Sequence, residues 1–218
     1  MSEEKTQSIK VTLIGDTGVG KTCIIKRYTE NEYDPQVKST IGASYSQKIL
    51  EINDKTIALD VWDTAGQEQY RALGRHFYKN AYIVCLVYDI TNLKSFESLK
   101  DWYEDLKTHG EKCRVIAIVG NKSDCYENEE VKEEDARKYA KEINASFFLV
   151  SAKTADNIEL LFTSLTKEFL GPEFSKKLKE EKDEKGVGET KKIKASKDNN
   201  NKNKKKNVVN LLKFIFIN

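Results

Sequence analysis

The sequence predicts a doubly wound, mostly parallel α/β domain, and three observations carry that prediction. Within residues 8–170, short segments rich in β-branched and aromatic residues alternate with longer segments of mixed character. Three of the short segments, residues 82–88, 115–119 and 147–150, are nearly unbroken apolar runs, as expected of parallel strands covered on both faces. A glycine-rich turn directly follows the first strand, at the carboxyl end where such sheets bind ligands.

Residues 9–14 read as that first strand, and the segment after Thr22 as the first helix. Residues 44–52 and 56–61 flank Asn53-Asp54, a hairpin turn giving one antiparallel edge pair and a sheet of six strands, with helices on both faces. The last helix has the clearest period: Ile158, Leu161, Phe162, Leu165 and Phe169 form one apolar stripe. Asp156 and Glu159 are spaced for a capping box at its start.

Composition narrows the function. At 218 residues, with 33% charged and 39% hydrophobic, the chain suits one domain plus an appendage. No apolar run approaches the ~20 residues of a membrane span, and residues 1–8 lack the pattern of a secretory signal. Cys23, Cys85, Cys113 and Cys125 stand far apart without a CxxC pair, so neither a disulfide framework nor a zinc site is indicated. The expected compartment is the cell interior.

The net charge of +2 hides an asymmetry. Residues 172–218 hold 14 Lys and 7 acidic residues, a balance of +7, which leaves −5 for the rest. A mildly acidic body argues against nucleic-acid binding. Beyond Gly171-Pro172 the chain turns to Lys, Glu and Asn, too little apolar surface to offset its ordering entropy. The expected organisation is a flexible N-terminus (1–7), a folded domain (8–171) and a disordered Lys/Asn-rich tail with a short apolar end (172–218).

The chemistry sits at the strand ends. Gly15-Asp16-Thr17-Gly18-Val19-Gly20-Lys21-Thr22 fits GxxxxGK[ST] between a strand and a helix. Its glycines let backbone N–H groups curl around phosphate oxygens, Lys21 adds charge, and the Thr22 hydroxyl can ligate Mg²⁺. Asp63-Thr64-Ala65-Gly66-Gln67 follows a strand, with a carboxylate for Mg²⁺ and a glycine amide for a γ-phosphate. Asn121-Lys122-Ser123-Asp124 ends in a carboxylate that suits a base presenting two adjacent N–H donors, as guanine does and adenine does not. Ser151-Ala152-Lys153 can offer a backbone N–H to the guanine carbonyl oxygen.

With these motifs in this order, the chain resembles the Ras superfamily of small GTPases over roughly residues 8–171. It looks most like the Rab branch, on Thr40-Ile41-Gly42, Trp62 to Glu68, Tyr70-Arg71-Ala72-Leu73 and Leu86 to Thr91. The resemblance implies the P-loop small GTPase fold and a GTP-hydrolysing switch of vesicle traffic that binds GTP or GDP with Mg²⁺. Switch I would be residues 32–42 and switch II residues 65–79. Thr22, Thr40 and Asp63 would hold the metal, and Gln67 would orient the attacking water beside Lys21 and Thr40. Gly15, Thr17, Gly18, Val19, Gly20, Cys23, Tyr33 and Gly66 would join Asn121, Lys122, Asp124, Ser151, Ala152 and Lys153 around the nucleotide.

The implied partners are an exchange factor, a GTPase-activating protein and effectors meeting Tyr45, Trp62 and Phe77, on a monomer. Residues 95–110 and 151–158 are similar to Rabs of the early endocytic pathway. Arg71 and Arg75 have no direct catalytic role by this resemblance, so turnover without an activating protein should be slow. Thr17 stands where the family has a small residue, Gln69 where Rabs have Arg, Asn80 where many have Gly, and Tyr45 in place of Phe. The last cysteine is Cys125, so a prenyl anchor is not expected, and membrane contact would fall to the basic tail. Two other readings remain: a nucleotide-binding interaction module with negligible hydrolysis, and a metabolic P-loop phosphotransferase preferring adenine. His76 and His109 lack a catalytic or metal pattern, and Cys85 reads as core.

Overall fold

In the computed structural model, which describes residues 7–37, 39–40, 42–52, 55–64 and 77–171, the sheet has six strands in the order β2-β3-β1-β4-β5-β6. β1 (Gln7–Ile14) is flanked in parallel by β3 (Lys55–Thr64) and β4 (Ile83–Asp89), and β5 (Val115–Asn121) and β6 (Ser146–Leu149) continue the parallel array. β2 (Ala43–Ile52) runs antiparallel to β3, from Ala43 opposite Thr64 to Ile52 opposite Lys55. The Asn53-Asp54 turn itself lies outside the described residues, as do residues 1–6 and 172–218. Gln7, expected in the flexible segment, belongs to β1 because it pairs with Ile57.

Among the described residues the helices include α1 (Lys21–Glu30), α2 (Leu93–Glu97), α3 (Leu99–His109), α4 (Glu133–Glu142) and α5 (Ile158–Leu170). Every residue of β4 is buried, and the pleat divides them. Ile83, Cys85 and Val87 enter one core with Ile24 and Tyr28 of α1 and Leu161 and Phe162 of α5. Val84, Leu86 and Tyr88 enter another with Leu99 and Trp102 of α3 and Ala136 and Ala140 of α4. Each fully buried Val, Leu or Ile contributes roughly 1.5–3 kcal/mol, so β4 anchors both layers.

The α5 stripe is the face that packs: Ile158, Leu161, Phe162 and Leu165 are buried, and the Tyr28 and Phe162 rings stack at 3.8 Å. Its N-terminus differs from expectation. Asn157 caps the helix in the left-handed region (φ 58°) without a side-chain cap bond, so the capping box does not form. Both carboxylates are engaged elsewhere, Asp156 Oδ2 by the Thr154 hydroxyl at 2.6 Å and Glu159 Oε2 by Lys48 Nζ at 2.9 Å.

Candidate nucleotide-binding site

The carboxyl ends of β1, β3, β5 and β6 converge on a cavity of about 320 Å³. That volume falls within the usual range for small-molecule sites. Residues 15–20 turn the chain sharply from β1 into α1. Gly20, the N-cap, has φ 92°, and a Cβ there would stand 2.3 Å from Asn121 Nδ2. Gly15 has φ 143°, and a Cβ would meet the Val87 carbonyl oxygen at 2.2 Å. Side chains are excluded from both places, so backbone curls tightly against two strand ends. No side chain caps α1, and its first N–H groups lie at one wall of the cavity.

Lys21 is only 5% exposed. Its ammonium donates to the carbonyls of Gly15 and Asp16, both at 2.8 Å. Burial pushes its pKa down to about 8, with the charges of Asp63 and Asp16 pulling back. Beside it the Thr22 and Thr40 hydroxyl oxygens are 2.8 Å apart, and they donate to Asp63 Oδ2 at 2.7 and 3.0 Å. Asp63 Oδ1 is buried and makes no hydrogen bond. Burial raises the pKa of Asp63, against the two hydroxyls and the Lys21 charge.

The other end of the cavity is built from loops after β5 and β6. Asn121 Nδ2 donates to the Val19 carbonyl at 2.8 Å, and Asn121 Oδ1 accepts from the Ala152 N–H at 3.2 Å. One side chain thus ties the phosphate loop to the 151–153 loop. Ser151, fully buried, donates from Oγ to Asp124 Oδ1 at 2.6 Å and accepts from the Thr154 N–H at 3.1 Å. For Asp124, burial pushes the pKa up, but the Ser151 hydroxyl, local N–H and thiol donors and the Lys153 charge outweigh it. The net result lies below the ordinary carboxylate range. Lys122 Nζ pairs with Asp89 Oδ2 at 2.5 Å.

Of the residues expected at the site, Thr17, Gly18, Gly20, Lys21, Thr22 and Cys23 line the cavity from the phosphate loop and α1. Tyr33 and Thr40 line it from the loop after α1, and Asn121, Lys122, Asp124, Ala152 and Lys153 from the far end. Gly15, Val19, Asp63 and Ser151 stand behind the wall, acting on it through the bonds above. Gly66 and Gln67 lie outside the described residues, as do Gln69, Arg71, Arg75 and His76. Sequence reasoning passed over Cys125, a lining residue whose thiol approaches Asp124 Oδ2 at 3.6 Å, although it directly follows the Asn121–Asp124 motif. It also passed over Arg27, which no motif marks.

A doubly wound sheet with a glycine-rich turn and a polar loop pair at opposite ends of one cavity has the P-loop small GTPase fold. The Ras family profile matches residues 10–171. The chain is also similar to the Ras-related protein Rab-22A of Mus musculus, Homo sapiens and Canis lupus familiaris. Each is 43% identical over 161 residues, 74% of this chain and 83% of the relative. The chain belongs to the Ras family and is a Rab-type small GTPase, a switch protein of membrane traffic.

The family implies a guanine nucleotide and Mg²⁺, and the residues present fit both. Mg²⁺ takes oxygen ligands and keeps several waters. Two hydroxyls converging on a carboxylate, with one buried oxygen of that carboxylate unbonded, offer that donor set.

Proposed function

We propose that this chain binds GTP with Mg²⁺, hydrolyses it slowly and acts as a timed switch on endosomal or other vesicle membranes. The cavity carries the reading: Lys21 and the α1 N-terminus stand at one end, Asp124 and the 151–153 loop at the other. In this reading residues 8–171 are the nucleotide-binding domain, and 1–7 and 172–218 flank it. Thr22, Thr40 and Asp63 would hold Mg²⁺, which neutralises phosphate charge when bound.

Lys21 and the phosphate-loop amides, with Gly66, bind and orient the phosphates, and Tyr33 with Asn121, Lys122, Asp124, Ser151, Ala152 and Lys153 holds the base. Gln67 orients water, and Thr40 responds to the γ-phosphate. Hydrolysis needs mainly positioning and charge, and among the described residues no arginine lines the cavity. An activating protein would supply that charge. Tyr45, half exposed, touches Trp62, and Trp62 touches Phe77, with ring centroids 5.3 and 5.5 Å apart. This row is the effector contact of the proposal, and the likeness of residues 95–110 and 151–158 to early-endocytic Rabs supports an endosomal site.

Phosphate release from Gln67→Leu tests the reading. Hydrolysis should slow about 100-fold, the scale of a group that positions or activates water, while GTP affinity stays within about twofold. Wild-type turnover in Gln67→Leu, with and without an activating protein, would sink it.

A further inference from the structure

The geometry points to Arg27 as the residue that positions the guanine-reading loop. It rests on the guanine reading of the site, and it concerns a side chain outside the cavity wall.

Arg27 lies on the last turns of α1, and its guanidinium joins the end of that helix to the 151–153 loop. Nε donates to the Ala152 carbonyl at 2.9 Å, and a terminal nitrogen donates to the Lys153 carbonyl at 3.2 Å. The other terminal nitrogen donates to the carbonyl and side-chain oxygen of Asn31, at 2.8 and 3.0 Å. Asn31 is itself fixed as the left-handed C-cap of α1 (φ 57°), its N–H bonded to the Lys26 carbonyl. The planar fork is therefore anchored to its own helix on one side and grips two consecutive carbonyls on the other.

That grip has a directional consequence. In a trans peptide the C=O and the following N–H point in opposite directions. Arg27 takes the Ala152 carbonyl from behind the cavity wall, which aims the Lys153 N–H away from Arg27. Both Ala152 and Lys153 line the cavity, whereas Arg27 does not. Held at Ala152 N by Asn121 and at two carbonyls by Arg27, the loop cannot rotate its peptide planes freely. Arg27 thus sets how well the loop's N–H groups meet the carbonyl oxygen of guanine, without touching the nucleotide.

The test is a pair of dissociation constants on the full chain, for GDP and for 6-thio-GDP. The thio analogue keeps the edge read by Asp124 but replaces the carbonyl oxygen with sulfur, a poorer acceptor. Arg27→Ala should weaken GDP about tenfold, one misaligned hydrogen bond, and 6-thio-GDP less than about threefold. Arg27→Lys, which keeps charge and stem but cannot span both carbonyls, should fall between, and it serves if the alanine variant does not fold. Equal weakening of both nucleotides, or none, in the folded variants would overturn the assignment. If the wild type binds ADP as well as GDP, the guanine reading fails instead, and that arm is read separately.

Discussion

The two ends of the cavity are held in different ways. At the base end, groups are pinned from behind: Asn121 by Val19 and Ala152, Asp124 by Ser151, and the 151–153 loop by Arg27. At the phosphate end, the groups that would meet a ligand bond one another: Lys21 holds two loop carbonyls, and Thr22 and Thr40 share Asp63 Oδ2. The pinning bonds hold the base-end groups in place from the side away from the cavity, which would preorganise them for selection. The phosphate end must exchange partners on binding, which suits a region that changes with the state of the nucleotide. Substitutions at the two ends should therefore fail in different ways.

The largest effect should come from Asp124→Asn. A site built to hydrogen-bond a polar edge discriminates by up to about 10⁴-fold against a ligand that leaves it unpaired. The substitution should cost guanine nucleotides most of that preference and admit xanthine nucleotides, while binding of the phosphate end is untouched. Competition titration with GDP, XDP and ADP reads this directly. An unchanged order of preference would break the contrast between the two ends.

Lys21→Ala should act without regard to the base. Losing a buried charged donor to phosphate weakens binding by about 100-fold, and GDP and XDP should fall by the same factor. A loss confined to guanine nucleotides would mean that the ends are not separable.

Much of this arrangement was legible in the sequence because strand ends in a doubly wound sheet are where ligands bind. Lys21, Thr22, Asn121 and Asp124 each follow or end an apolar strand, so motif and topology pointed to one place. The burial of β4 on both faces followed from its unbroken apolar run for the same reason. Arg27 was not legible: the loop carbonyls it grips lie more than a hundred positions away, and a carbonyl leaves no mark on residue identity. The capping box misled because spacing cannot report the left-handed turn at Asn157 or the cross-fold claim of Lys48 on Glu159. The antiparallel edge pair was readable from the two segments flanking Asn53-Asp54, and β2 stands at the sheet edge as expected.

The smallest expected effect joins the phosphate end to the opposite helical layer. Asp16, an unspecified position of the GxxxxGK[ST] pattern, accepts from Trp102 Nε1 at 2.8 Å through one oxygen and from Ser98 Oγ at 2.6 Å through the other. Its own carbonyl accepts from Lys21. The start of the phosphate loop is thereby tied to α3 while its backbone steers the ammonium. Asp16→Ala should lower stability by about 1–3 kcal/mol, since two partly buried donors lose an ionised acceptor, and should weaken GDP by less than about tenfold. Asp16→Asn keeps an acceptor for Trp102 and an amide for the Ser98 oxygen, and should recover most of both losses. Thermal unfolding and GDP titration of the two variants measure the effects together. If Asp16→Asn proves as damaging as Asp16→Ala, carboxylate charge rather than hydrogen bonding holds the loop, and the phosphate end is fixed electrostatically rather than tied at its edge.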